Sequence, residues 1–247
     1  MRGKPILILG GTGDARRLAE RLVGEGLRVI TSLAGVTTDP VLPPGEVRRG
    51  GFGGVEGLVS YLRDEGIAAV IDATHPFAAQ MSIQAHAACG QCNITLYRFE
   101  RPGWTPQPGD CWTEVASAEA AAEALPAGAR ALVTIGRKEI GAFFARDDIG
   151  GLARMIEPPP GHVPHSWHAV LQRPPFTLAS EIELMRAQSI THLVTKNAGG
   201  AETEAKLFAA RQLAIPVIMI TRPAKPPAIC ADDETSLIGL LLREHYP

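Results

Sequence analysis

The sequence is short of several things, and each shortage narrows what the protein can do. The net charge is only −2, so no general field draws the chain to nucleic acid or to an anionic membrane, and any anion-binding surface must be local. No apolar run approaches the roughly 20 residues of a membrane-spanning helix. The opening MRGKPILILGG holds an apolar run too short for a signal-peptide core, and it enters a glycine turn instead of a cleavage site. A cytoplasmic location is expected. Cysteine is scarce: Cys89, Cys92, Cys111 and Cys230. Cys89-Gly-Gln-Cys92 has the C-x-x-C form, but neither a second ligand pair nor a thioredoxin-like strand accompanies it. Two small residues near a helix end fit better than a metal or redox site.

What the chain does have is apolar residues, glycine and a repeating pattern. It is 45% hydrophobic over 247 residues, enough for one large domain or two of ordinary size. The apolar run Ile6 to Leu9 meets Gly10, Gly11 and Gly13, and a helical pattern with Leu18, Leu22 and Val23 on one face follows. Strand, glycine turn and helix in this order open a Rossmann-type dinucleotide-binding domain. Gly10, Gly11, Thr12 and Gly13 are therefore expected to hold a diphosphate, with Arg16 standing where the fingerprint has Gly or Ala. The next strand, Leu27 to Leu33, ends with Thr31 and Ser32 and no carboxylate. A carboxylate there would bind ribose hydroxyls and repel a 2′-phosphate. Hydroxyls beside Arg16 or Arg17 favour NADPH over NADH.

The alternation continues. After a loop-like stretch at 36–44, a short strand ending at Arg48 and Arg49 runs into GGFGG. The buried-type strand Ala68 to Ile71 ends in DATHPFA, Asp72 to Ala78. Pro76 bars His75 from helical geometry, so Thr74, His75 and Pro76 form a loop at the carboxyl end of a central strand, where such sheets place ligands. Arg101 to Asp110, with three prolines and two glycines, is the best linker. Beyond it, strands end in Gly136-Arg137-Lys138, in Lys196-Asn197-Ala198-Gly199-Gly200 and in Thr221-Arg222-Pro223. The expected fold is α/β: two Rossmann-like domains, 1–105 and 106–247, with mostly parallel sheets and a ligand cleft between them.

The motifs ILILGGTGDARRLA, DATHPFA, TKNAGG and AKLFAARQLAIPVIMITRP occur in one order across nearly the whole chain. Together they resemble the precorrin-6A reductase family of cobalamin biosynthesis. The resemblance implies a two-domain reductase that takes hydride from reduced nicotinamide and saturates a macrocycle double bond, converting precorrin-6A to precorrin-6B. It implies NADPH bound by Gly10 to Gly13, Arg16, Thr31, Ser32, Thr74 to Pro76, Asn197, Gly199 and Gly200. It also implies a tetrapyrrole whose carboxylates meet Arg16, Arg49, Lys138 and Lys196, and His75 as proton donor. No metal site is expected, and contact with neighbouring pathway enzymes is left open. An NADH-dependent enzyme acting on the cobalt-containing substrate is the alternative within the family. A non-enzymatic NADP(H) sensor is the alternative outside it, and it would have no use for basic loops in the second half. Extended-class epimerases and reductases carry Tyr-x-x-x-Lys, and none of Tyr61, Tyr97 or Tyr246 has a lysine four residues on.

Overall fold

The computed structural model describes residues 2–35 and 41–245; residues 36–40 of the expected loop, and Tyr246, lie outside these. The chain forms two compact units, Met1–Pro102 with Pro223–Pro247, and Gly103–Arg222.

The first unit opens with β1 (Arg2–Leu9), α1 (Gly13–Gly24), β2 (Leu27–Leu33), β3 (Glu46–Arg49), α2 (Gly54–Asp64), β4 (Ala69–Asp72), α3 (Ala79–Cys92) and β5 (Thr95–Phe99). The second unit holds β6 (Trp112–Val115), α4 (Ala118–Glu123), β7 (Arg130–Thr134), α5 (Gly141–Phe144), β8 (Gly150–Met155) and β9 (Trp167–Leu171). It continues through α6 (Leu178–Ala187), β10 (His192–Lys196), a 3-10 turn (Ala201–Thr203), α7 (Ala205–Gln212) and β11 (Val217–Ile220). The chain then returns to the first unit with β12 (Ile229–Ala231) and α8 (Glu234–His245).

Both sheets are six-stranded, and every pairing among the described residues is parallel. The first runs β3-β2-β1-β4-β5-β12, the doubly wound order. The second runs β9-β8-β7-β10-β11-β6, the same order in its own strands, except that the sixth position is filled by the unit's first strand. In the first unit that position is filled by the last strand of the chain. The expected boundary at 105/106 is thus close at the entry to the second unit, but the stretch from Pro223 onward belongs to the first. The reason is physical. Ile229, Cys230 and Ala231 pair with Tyr97, Arg98 and Phe99. Leu237, Ile238 and Leu241 of α8 are buried with Phe99, Leu18 and Leu22.

Alternation along β1 builds the first core. Ile6 and Ile8 pack with α1 and α8, while Leu7 and Leu9 pack with Leu58, Leu62, Ala85 and Ala88 of α2 and α3. Each fully buried leucine or isoleucine contributes about 1.5–3 kcal/mol. In the second unit Leu132, Leu152, Leu193 and Met219 share a cluster with Met185 of α6 and Leu207, Ala209 and Ala210 of α7. Charge is buried beside that cluster. Arg154 of β8 donates through both terminal nitrogens to the two carboxylate oxygens of Glu181 and lies 4.0 Å from the centroid of the Phe176 ring. Lys206 is 4% exposed; its amine donates to the Thr203 carbonyl and lies 4.5 Å from the Trp104 ring centroid. Among the described residues, no helix is long and apolar enough to cross a membrane, and no cluster of ligand-type side chains could hold a metal ion.

Burial, followed by repulsion from Arg154, pushes the Lys206 amine down from 10.5 to about 7. Below 10.5 the unfolded chain binds a proton that the folded chain refuses until about 7. Wild-type stability from this group therefore rises with pH across that window and is flat below it. In chemical denaturation, the stability of Lys206→Met relative to wild type should fall between about pH 7 and about pH 10. A constant difference would mean that the buried amine is charged throughout.

Candidate functional site

In a doubly wound sheet, ligands sit at the carboxyl ends of the strands where the strand order reverses. That point in the first unit lies between β1 and β4, whose residues pair from Ile6↔Ala69 to Leu9↔Asp72. The glycine turn leaves β1 there. The Gly10 N–H donates to the Ser32 carbonyl at 2.9 Å, and a Cβ on Gly10 would lie 2.9 Å from the Thr31 methyl, so only glycine lets the turn press onto β2. Gly11 adopts φ +107, and a Cβ there would meet nothing within 4 Å: the backbone is open on that side. Thr12 caps α1, its hydroxyl oxygen accepting from the Ala15 N–H at 3.0 Å. The remaining first-turn N–H groups and the positive dipole end lie at this open turn, an arrangement of the kind that binds a diphosphate. Asp14, in this first turn, would oppose an anion, but its carboxylate accepts from Arg17 and Arg101.

The β4 loop is bound to this turn and to a buried carboxylate. Thr12 Oγ1 donates to the Ala73 carbonyl at 2.9 Å. Asp72 is 1% exposed. Its Oδ1 accepts from the Thr74 N–H (3.2 Å) and hydroxyl (2.6 Å), and its Oδ2 from Ser82 Oγ (2.6 Å) and Arg98 Nε (3.2 Å). Arg98 also donates to the Pro226 carbonyl at 2.9 Å. His75 is exposed on the loop so formed. Its Nδ1 accepts from the Phe77 N–H at 3.3 Å, which leaves the proton of the neutral ring on Nε2.

The structure thus gathers Gly10 to Gly13, Thr31, Ser32 and Thr74 to Pro76 around one switch point. It also assigns several of them tasks that the sequence did not suggest. Thr31 is buried under Gly10, with no hydrogen bond to its hydroxyl among the described residues. Ser32 Oγ accepts from Arg48 at 3.3 Å, and Arg48 stacks 3.8 Å from the Phe52 ring centroid while holding the carbonyls of Gly50 and Gly51. Arg49, the neighbour expected to bind ligand, is exposed. Arg16 is partly exposed, 3.8 Å from Glu20.

The second unit has its own switch point, between β7 and β10. Gly136 at φ +86 leads into Arg137, Lys138 and Glu139; Lys138 is exposed. Lys196, ending β10, places its Nζ 2.6 Å from Glu139 Oε2. Gly199 and Gly200 adopt φ +68 and +88 in the loop that follows. Asn197 holds the backbone of this unit: its Oδ1 accepts from the Trp104 N–H at 2.7 Å and its Nδ2 donates to the Trp104 carbonyl at 3.0 Å. Arg222 donates to the carbonyls of Asn197 and Ala198 at 2.8 and 3.0 Å. Asn197 and Arg222 shape the loop through these bonds. Asp72, Ser82, Arg98 and Glu139 are the residues of the candidate site that sequence reasoning passed over, whereas Arg48 was weighed with Arg49 for ligand binding and instead holds the glycine turn that follows it. Asp72 lay inside a motif already singled out; for Ser82 and Arg98 only three-dimensional proximity carries the signal.

The family model described as precorrin-6x reductase CbiJ/CobK matches residues 5–240. A precorrin-6A reductase of Rhodobacter capsulatus is 52% identical over 229 residues, 92% of this chain and 91% of its own. One from Rhodococcus erythropolis is 47% identical over 233 residues, 94% of each chain. A solved structure titled CobK precorrin-6A reductase superposes with a TM-score of 0.91 at 46% identity, covering 99% of this chain and 98% of that one.

Removing the Asp72 carboxylate leaves the Arg98 guanidinium buried without its counter-charge. Asp72→Ala should cost about 3 kcal/mol or more in chemical denaturation, and adding Arg98→Met should recover part of that loss. A cost under about 1 kcal/mol would place the pair among weak surface bridges.

Proposed function

The chain belongs to the precorrin-6x reductase family, and from that premise we propose that it reduces precorrin-6A to precorrin-6B with NADPH, as a cytoplasmic enzyme of cobalamin biosynthesis. The observation that carries this reading is the Thr12–Ala73 bond, which joins the open glycine turn and the His75 loop at one switch point. The diphosphate belongs on Gly10 to Gly13, with the two arginines on Asp14 offsetting its charge. At the adenosine end, no acidic side chain stands at Thr31 or Ser32, and Arg48 and Arg49 follow on the adjacent strand. This supports a 2′-phosphate. The relatives from Rhodobacter capsulatus and Rhodococcus erythropolis carry names without cobalt, which supports the metal-free substrate. Arg16, Arg49, Lys138 and Lys196 are assigned to the carboxylates of the tetrapyrrole, and Gly199 and Gly200 to the backbone around the cofactor.

When bound, reduced nicotinamide supplies the hydride. The protein's part is to orient both reactants and to manage one proton. The Asp72 hydrogen bonds fix Thr74, and thereby the loop on which His75 stands. The Phe77 N–H on Nδ1 selects the tautomer with a proton at Nε2, and we assign His75 Nε2 as the donor to the carbon next to the reduced one.

Anaerobic oxidation of NADPH and NADH by the purified protein with metal-free precorrin-6A tests the reading. Turnover with NADPH and little with NADH is expected. Preference for NADH would remove the 2′-phosphate argument, and cofactor binding without turnover would favour a sensor. His75→Asn should lower kcat by about 100-fold or more; wild-type turnover across pH would dismiss His75 as the donor.

A further inference from the structure

The second unit's switch point holds a mixed-charge cluster. Thr134 pairs with Thr195, so the loops after β7 and β10 leave the sheet as neighbours. One brings Arg137, Lys138 and Glu139, and the other Lys196. The Lys196 side chain is 14% exposed and that of Glu139 41%, with 2.6 Å between Nζ and Oε2. The two partners are held unequally. Lys196 is the last residue of β10 and is paired with Ile220 of β11. Glu139 hangs from a glycine-led loop. The amine is therefore the fixed half of the pair and the carboxylate the replaceable half. An ion pair with one well-exposed partner is weak enough for a better-placed carboxylate to take over.

We infer that Glu139 occupies on Lys196 the place of a substrate carboxylate and gives way when the macrocycle binds. The inference rests on the reading of the chain as a reductase of a polycarboxylated tetrapyrrole. Exchange of one carboxylate for another keeps a counter-charge beside the Lys196 ammonium at every stage, so the mostly buried side chain is not asked to give up an ion pair in order to bind. It also selects. A ligand whose carboxylate reaches Lys196 releases Glu139, whereas an anionic ligand that falls short of Lys196 meets Glu139 and is repelled. Glu139 on this account determines specificity and touches no reacting atom.

Steady-state kinetics of Glu139→Gln, Lys196→Met and the double variant test the exchange, with precorrin-6A varied at saturating NADPH. Glu139→Gln should lower KM for precorrin-6A about two- to fivefold and leave KM for NADPH where it was. Lys196→Met should raise KM for precorrin-6A, and the double variant should match Lys196→Met because the gain acts through the amine. A KM that is unchanged or raised in Glu139→Gln overturns the inference, as does a gain that survives in the double variant. Binding of uroporphyrin, a polycarboxylated macrocycle, followed by fluorescence in the same variants, separates the two levels. Lys196-dependent tightening in Glu139→Gln, with no NADPH oxidation by wild type, would keep the exchange and remove the reductase reading.

Discussion

One buried carboxylate organises the ligand end of the first unit. Asp72 lies at the last position of β4, where a charge removed from water is costly unless every oxygen is used. It accepts four hydrogen bonds, from a loop, a helix and the adjacent strand. Each partner brings its own element into register: Thr74 sets the course of the loop that carries His75, Ser82 sets the approach of α3, and Arg98 reaches on to the Pro226 carbonyl of the returning chain. A hydrophobic pair of similar volume would fill the space but would aim nothing. The ion pair is better understood as a positioning device than as a source of net stability.

The sequence made the α/β alternation visible because parallel strands buried on both faces read as short apolar runs between glycine turns. β1, β4, β10 and β11 stand out for that reason. β6 and β12 did not. WTEV has an edge strand's polar content, and Ile229–Ala231 is a three-residue strand beside a proline-rich stretch. These two strands fill the sixth position of each sheet and so decide which unit the C-terminal segment joins. The division expected at 105/106 assigns everything after the linker to the second domain, whereas the segment from Pro223 onward groups with the first unit.

The candidate site was legible in the same uneven way. Glycines at turns announce themselves, since Gly10 answers to a contact and Gly11 to a backbone angle. Polar side chains near a turn carry no label for what they face. Thr31 and Ser32 sit at the expected strand end, but one lies beneath the turn and the other holds Arg48. Asn197 looks in sequence like a ligand-binding residue of a glycine loop, and in the fold it mimics a strand by pairing with both backbone groups of Trp104.

The sixth strand of the first sheet also sets an order of events at the ribosome. β5 emerges before any part of the second unit, and β12 only after all of it. The second unit is contiguous from Gly103 to Arg222 and has every strand of its sheet in hand while the first still waits. Through that interval the nascent first unit presents β5 as an unpaired parallel edge and lacks the leucines of α8 that cover α1. Such an edge is where chains join wrongly to one another. The late arrival of a three-residue strand and one helix is thus what closes that edge.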